Sequence, residues 1–357
     1  MKRSFEMNKR VSFLVIVLGL VVGFSSTSKA GNPSRTGTGA ALELLIPVGA
    51  RGQALGGAFV SGISGVDAIY WNPAGLALAS NNVEAMFSHM NYIADIGVNY
   101  FALGAKLGDV GSLALSLKSI NFGSITQTTN EFPDGGIGTY SPSYVTAAVT
   151  YSKGLTDRIL AGITVKYVSE QIMRENASGV AFDAGIQYRA EGTGLKIGIV
   201  VRNIGTNMQF AGDDLSHVTP VPGSNSSAPS VPLYIQAASF EMPSTVDLGL
   251  SYDLRLNDEN TFTITGTFRN NNFGSDNYLA GAEYNFNNML YLRGGWVFSN
   301  NASGSGLVSQ TEDNIFGPTL GAGIKYNLGG TTLSVDYAYR TTKFFAGNNT
   351  ISVQVGL

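Results

Sequence analysis

"TFTITGTFRN", residues 261–270, places Phe262, Ile264 and Phe268 on one face of an extended chain and Thr261, Thr263, Thr265 and Thr267 on the other. Alternation with period two marks a strand with one apolar face. The same register recurs along the chain. Leu113, Leu115 and Leu117 oppose Ser112, Ser116 and Lys118, while Val145, Ala147, Val149 and Tyr151 oppose Thr146, Thr150 and Ser152. Leu333, Val335, Tyr337 and Tyr339 oppose Ser334, Asp336 and Arg340, and the chain ends on Ile351, Val353, Val355 and Leu357. Each run is close to the ~9 to 11 residues with which a tilted strand crosses a bilayer.

Composition points the same way. Charged residues make up 13% of the chain, against about a quarter in ordinary soluble domains, while 45 Gly, 16 Tyr and 19 Phe are present. Nothing after residue 30 resembles a spanning helix, so residence in a membrane requires the other permitted solution, a closed β-barrel. The alternation predicts strands near 83–90, 96–106, 111–121, 144–154, 159–170, 179–189, 195–204, 245–255, 260–269, 276–286, 289–298, 317–328, 331–341 and 347–357. That gives an all-β, antiparallel transmembrane barrel of about 14 strands over residues 83–357, an even number as single-chain bacterial barrels require.

The connections offer an independent test, because such barrels alternate short periplasmic turns with longer outer loops. Tight links fall at Gly108-Asp109-Val110, Leu155 to Arg158, Ala190 to Gly194, Asn257 to Asn260, Asn287-Asn288 and Gly329-Gly330. Between them come long segments at 122–143, 205–244 and 299–316, and shorter ones at 91–95, 171–178, 270–275 and 342–346. With both barrel ends in the periplasm, every tight turn lies on one side.

Aromatic placement agrees. Tyr151, Tyr188, Tyr252, Tyr284 and Tyr326 each sit on the apolar face shortly before a tight turn, where an aromatic girdle belongs; Tyr167, Phe268, Trp296, Phe298 and Tyr339 supply the opposite girdle. A general enrichment of aromatics in strands explains their presence and leaves their placement unexplained. A soluble sandwich or propeller would carry a more charged outer face. The strand charges Lys118, Lys166, Asp183, Arg202, Asp247, Glu283, Arg293, Lys325, Asp336 and Arg340 all fall opposite the apolar face, toward a lumen. Their mixed signs favour a cross-linked interior over a strongly ion-selective channel, beside the plainer account of charges solvated in a wet barrel. None is assigned a ligand.

The first residues read as an address. Lys2, Arg3, Lys9 and Arg10 precede an apolar run from Val11 to Phe24, and Ser28-Lys29-Ala30 offers small residues before Gly31, so residues 1–30 are expected to be a cleaved signal peptide. The apolar run is shorter than the ~20 residues of a membrane anchor. With no cysteine, lipoprotein attachment, disulfides and thiolate metal sites are excluded.

Residues 31–82 lack sustained alternation. Left in the periplasm, this segment would expose Leu42, Leu44, Leu45, Ile46, Phe59 and Val60, at roughly 25 cal/mol per Å² of apolar area. A barrel of this size has a lumen to fill, and the expectation is that residues 31–82 form a hatch, or plug, inside it. Within the segment, Tyr70-Trp71-Asn72-Pro73-Ala74-Gly75 is the hatch motif. Asn72-Pro73 biases the chain toward extended geometry, Gly75 permits close backbone approach, and Ile69, Tyr70 and Trp71 supply bulk to wedge against the wall.

"IPVGARGQALGGAFVSG", residues 46–62, followed by "AIYWNPAGLA", residues 69–78, resembles the N-terminal region of the PorV/PorQ family of bacterial outer-membrane proteins, which belong with the FadL-type barrels. The resemblance continues through "NYFALGAKLGDVGSLALSL" and "ASGVAFDAGIQY". It implies a fourteen-stranded barrel in the outer membrane with a similar Asn-Pro-Ala turn in an N-terminal hatch. The terminal Leu357 departs from the aromatic residue that ends many such barrels.

Two roles follow from the resemblance. A PorV-like member serves type IX secretion, with secretion-system proteins and exported cargo as partners. A FadL-like member passes a hydrophobic small molecule, such as a long-chain fatty acid, across a membrane whose lipid is its other partner. The segment 205–244, with Pro220, Pro222, Pro229 and Pro232 and a Gly-Ser-Asn-Ser-Ser run, reads equally as a partner-binding loop and as a plain surface loop. "PLYIQAASFEMP" within it is apolar enough to fold over the mouth or touch a ligand.

Enzymatic chemistry has little to stand on. His89 and His217 are the two histidines, expected at the outer rim, and no Gly-x-Ser-x-Gly motif is present. Gly37-Thr38-Gly39 follows no strand and is no dinucleotide fingerprint. No metal-ligand spacing occurs, no cofactor is implied, and the net charge of −3 argues against nucleic acid.

Overall fold

A computed structural model describes residues 31–225, 228–299 and 315–357. The signal-peptide expectation for residues 1–30 lies outside the described residues. Fourteen long strands follow one another: β1 (Val83–Asn91), β2 (Gly97–Lys106), β3 (Ser112–Asn121), β4 (Ser143–Gly154), β5 (Ile159–Ile172), β6 (Glu175–Arg189) and β7 (Leu195–Gly205). The second half comprises β8 (Thr245–Arg255), β9 (Asn260–Asn271), β10 (Asn277–Phe286), β11 (Leu290–Ser299), β12 (Phe316–Leu328), β13 (Thr331–Thr342) and β14 (Asn348–Gly356).

Every strand pairs antiparallel with its sequence neighbours, and β14 pairs with β1 from Glu84↔Gly356 to Asn91↔Asn349. The ring is therefore closed and leaves no edge for lipid to meet. The alternation read from residues 261–270 holds, with Thr265 and Thr267 buried on the inward face. On the outward face, Leu115, Ile163, Phe182, Leu248, Leu292 and Leu320 are exposed. Tyr151, Tyr188, Tyr252, Tyr284 and Tyr326 point outward near the tight turns. At the other level Phe268 packs on Tyr278, with ring centroids 5.3 Å apart, and Trp296 stacks on Phe298 at 6.0 Å.

Both barrel ends lie on the tight-turn side, where Asn82 and Val83 donate backbone hydrogen bonds to the Leu357 carbonyl. Asn287 and Asn288 turn with φ of 55° and 51°, and Gly329 and Gly330 with 55° and 111°. These left-handed conformations match the strand twist in tight hairpins and suit Asn and Gly.

The connection expected over 171–178 is shorter than alternation alone suggests. β5 and β6 continue to Ile172 and from Glu175, leaving Met173 and Arg174 as the turn. An added short strand, Ala211–Gly212, pairs with Glu175 and Asn176, and Arg174 holds Asp214, so the hairpin is supported beyond the barrel rim. The expected loop 205–244 carries that strand and a small hairpin, Ser216–Thr219 with Val231–Tyr234. His89 bonds Asn99 and Asn91 near the long-link end of β1, and His217 lies in the small hairpin.

If lipid covers the outward face, an Arg at its mid-height is costly. Leu248→Arg should destabilise the barrel by about 2 to 4 kcal/mol, read as a lowered urea midpoint for folding into lipid vesicles; an unchanged midpoint would mean that this face is not in hydrocarbon.

Candidate functional site

Residues 41–79 run through the ring as short pieces: the turns Leu42–Leu45, Gly65–Asp67 and Pro73–Leu78 and the helical turns Ala50–Ala54 and Ala68–Trp71. Elements this short leave most backbone groups without internal partners, so the wall must supply them. It does so around the circumference. Thr319 on β12 donates to the Ala54 carbonyl at 3.0 Å, and Thr265 on β9 to Ala58 at 2.6 Å. Gln187 on β6 donates to Ile63 at 3.1 Å, and Ser152 on β4 to Ala74 at 2.9 Å. Lys118 on β3 lies 2.6 Å from the carbonyls of both Glu43 and Ile46. In the other direction, the Ala50 N–H donates to Ser352 on β14 at 2.8 Å and the Val66 N–H to Glu84 on β1 at 3.2 Å.

Where no side chain fits between wall and segment, the wall carries glycine. A Cβ on Gly198 of β7 would lie 2.1 Å from the Val60 oxygen, and one on Gly295 of β11 2.2 Å from the Gly56 nitrogen. Gly162 of β5 would meet Pro73 at 2.4 Å. Gly104 of β2, Gly249 of β8, Gly281 of β10 and Ala338 of β13 complete the ring of contacts. The segment thus touches every strand of the ring.

The motif Tyr70 to Gly75 is the centre of this packing. Asn72 has no solvent exposure and adopts the expected extended conformation, φ −158° and ψ 105°. Its amide donates to Val60 at 2.8 Å and to Ile186 of the wall at 3.2 Å, while its Oδ1 accepts from the Ala74 N–H at 3.2 Å and caps the turn that Pro73 opens. Gly75 packs against the Ile63 carbonyl. Trp71 departs from the expectation of a wedge on the wall: it is buried among Leu55, Phe59, Ile63 and Ala68 of its own segment and donates to the Val48 carbonyl at 3.2 Å. Gly52 leaves the space its indole fills. Tyr70 takes the wall-facing role, its ring near Lys118 and Arg202 and its hydroxyl 3.1 Å from the Ile46 carbonyl. Among the apolar residues expected to be covered, Leu44, Phe59 and Val60 are buried and Leu42 is exposed, because it lies on the outer side of the first turn.

The inward charges form networks. Lys166 pairs with Asp183 at 2.6 Å, and Asp247 is shared by Arg202 at 2.6 Å and Arg269 at 2.8 Å. Glu283 accepts from Arg293 at 2.6 Å, and Arg293 also reaches Asp336 at 2.5 Å. From the segment, Arg51 grips Glu283 through two nitrogens at 3.1 and 3.0 Å. The cross-linked interior is therefore what the mixed signs produce. Among the described residues Arg340 has no ion pair, and Lys325 lines a cavity of about 100 Å³ at the tight-turn end with Arg51, Asp67, Glu84 and Asp336.

Arg51, Asp67, Arg269 and Glu43 belong to this site and escape the sequence reading. Arg269 carries a usable signal, two residues beyond the inward Thr267; the other three lie where no alternation reveals facing. Burial pushes the Glu43 carboxyl up to about 8, with Glu170 of β5 adding to the effect and Lys118 opposing it. Asp67, which accepts from Gln354 at 2.7 Å, is raised to about 6 by burial, against the pull of Arg51.

The fold is shared with solved outer-membrane proteins. The CymD monoaromatic hydrocarbon channel superimposes with a TM-score of 0.53 over 87% of this chain and 97% of that one, at 12% identity. The Pseudomonas putida toluene transporter TodX gives 0.52 over 85% and 96%, at 14% identity. A Pseudomonas aeruginosa FadL homologue gives 0.51 over 87% and 98%, at 11% identity. No family model and no curated protein matches the sequence. The chain thus shares the barrel fold of these proteins.

Asn72→Leu keeps the volume and removes three hydrogen bonds in a sealed site, each orphaned partner costing about 1 to 3 kcal/mol. Trypsin should then cut at Arg51 at least tenfold faster, while heat-modifiable gel migration of the barrel persists; loss of the barrel itself would assign the motif to the wall. Glu43 predicts a pH dependence. A carboxyl raised in the folded state stabilises the protonated form, so the contribution is full below the ordinary pKa near 4.5 and is lost as pH rises to about 8. The urea midpoint of Trp71 fluorescence, in a Trp296→Phe background, should fall across that window, and Glu43→Gln should flatten the fall.

Proposed function

We propose that the protein is an outer-membrane channel for hydrophobic small molecules, delivered there by the signal peptide 1–30, with residues 31–82 as a hatch closing the barrel of residues 83–357. One observation carries this reading: the inward wall is divided by chemistry. On β1 to β3 it is largely apolar, with Met86, Met90, Val98, Ala102, Ala114 and Ile120 buried against Val48, Val66 and Ile69 of the hatch, and the charges there, Glu84 and Lys118, are taken up by backbone groups of the hatch. Phe122 and Tyr144, 4.8 Å apart, extend this sector toward the long-link side. The inward ion pairs lie on β5 to β13, away from it. A largely apolar sector offers an uncharged solute a lane that a uniformly charged lumen would deny. The fold shared with hydrocarbon channels supports the same class of solute. No catalytic role is assigned.

The type IX secretion role implied by the PorV/PorQ resemblance is the second reading. What favours it is the excursion between β7 and β8, where Val218, Tyr234 and Ile235 are exposed on the long-link side, as a protein-docking loop would have them.

A deletion strain separates the two. Lost uptake of toluene with unchanged surface proteins supports the channel; retained uptake with exported proteins missing from the surface supports secretion. In planar bilayers, deletion of residues 31–82 should raise conductance well above the intact chain, and an unchanged trace would reject the hatch.

A further inference from the structure

Arg340 and Asn348 are cross-strand partners on the inward face of β13 and β14, so their Cβ atoms lie about 5 Å apart. Both are incomplete. Arg202, Arg269 and Arg293 each hold a carboxylate, whereas among the described residues no carboxylate pairs with Arg340 and its buried Nε has no hydrogen-bond partner. Asn348 is 1% exposed, and neither its Nδ2 nor its Oδ1 has a partner. Buried polar atoms without partners are costly, and two such side chains side by side call for something that serves both.

The surroundings describe that ligand. The Arg340 guanidinium lies 3.7 Å from the centre of the Phe316 ring, and Phe316 stands 5.8 Å from Tyr92, the rings inclined by 33°. The two rings and the guanidinium thus make one aromatic cluster beside the pair, and a flat apolar body is the kind that packs alongside it. One guanidinium and one neutral amide match a single negative charge; Arg269 is already committed to Asp247. The fork of Arg340 and the Nδ2 donor of Asn348 fit the two oxygens of a carboxylate.

Position gives the pair a role. Two residues back along each strand, Ala338 packs on Ala50 and Ala54, and Thr350 bonds Gln53 at 3.0 Å. The orphaned pair therefore sits about 7 Å beyond the helical turn Ala50–Ala54, on its long-link side. We propose that Arg340 and Asn348 form a binding site for the carboxylate of an aromatic acid, held on the outer side of the hatch. The assignment deepens the channel reading, extending its solutes from neutral hydrocarbons to apolar monoanions.

The test is equilibrium dialysis of radiolabelled benzoate against the full chain in detergent. R340Q and N348L should each weaken benzoate binding about tenfold or more, with R340K intermediate because it restores charge without the fork. Heat-modifiable migration shows whether each variant retains its barrel, and N348L answers if R340Q does not. Equal benzoate binding by the wild type and a folded variant would overturn the site, as would a wild type that binds none. Passage of toluene into proteoliposomes carrying the wild type is read separately. Its failure would sink the channel reading, while the dialysis result would still decide the anion site.

Discussion

A ring of fourteen strands is wider than its own side chains can fill, and whatever fills it is cut off from bulk water. A filler of irregular backbone then faces the accounting that governs any buried chain: each N–H and C=O needs a partner. Here the wall provides them. Thr265, Thr319, Ser152, Gln187 and Lys118 all serve carbonyls of residues 43–74. The Thr and Ser that alternate with apolar residues along the strands are thus more than a wet lining. They are the hydrogen-bonding half of an interface whose other half is the hatch backbone.

This dependence explains the glycines and the charges together. Close approach brings hatch carbonyls within reach of short hydroxyl side chains only if the wall between them has no Cβ, as at Gly198, Gly295 and Gly162. Where the gap is wider, long side chains bridge it, and Arg51 reaches Glu283. Once Glu283 and Arg293 are removed from water they must be paired, and the pairing propagates to Asp336 on β13. Removing one member of such a buried network costs about 3 to 5 kcal/mol, because the other is left as an unpaired charge.

The barrel was legible because period two is written in every strand, and Leu115 and Ser116 need no context to be sorted to opposite faces. Lys118, Lys166, Asp183, Arg202, Glu283, Arg293, Asp336 and Arg340 inherit their inward facing from that register alone. Their partners do not: whether Asp183 meets Lys166 depends on which strands adjoin and at what stagger. The hatch was legible as an apolar segment needing cover, and Asn72 as a break. Of the three residues expected against the wall, Trp71 turns into its own segment while Tyr70 meets wall side chains, because a four-residue helical turn, Ala68–Trp71, rotates successive side chains by about 100°, and nothing in an aperiodic sequence sets its phase. Arg51 and Asp67 were hidden for the same reason.

The two sectors of the wall hold the hatch by different means. On the side of β10 and β11 the hold is directional: the two-nitrogen grip of Arg51 on Glu283 is lost over a short displacement. On the side of β1 to β3, Val66, Ile69 and Leu76 lie against Met86, Val98 and Ala114, a mostly apolar contact to which Glu84 adds a bond from Val66 and Lys118 adds bonds to Glu43 and Ile46, and methionine adapts its shape to what replaces it. A displacement that keeps the Arg51 pair and the Lys118 bonds while parting Val66, Ile69 and Leu76 from the wall gives up one hydrogen bond, that of Val66 to Glu84, beside the apolar contact. Such a displacement uncovers apolar wall, and the surface it exposes is one that a hydrophobic solute can cover in its place.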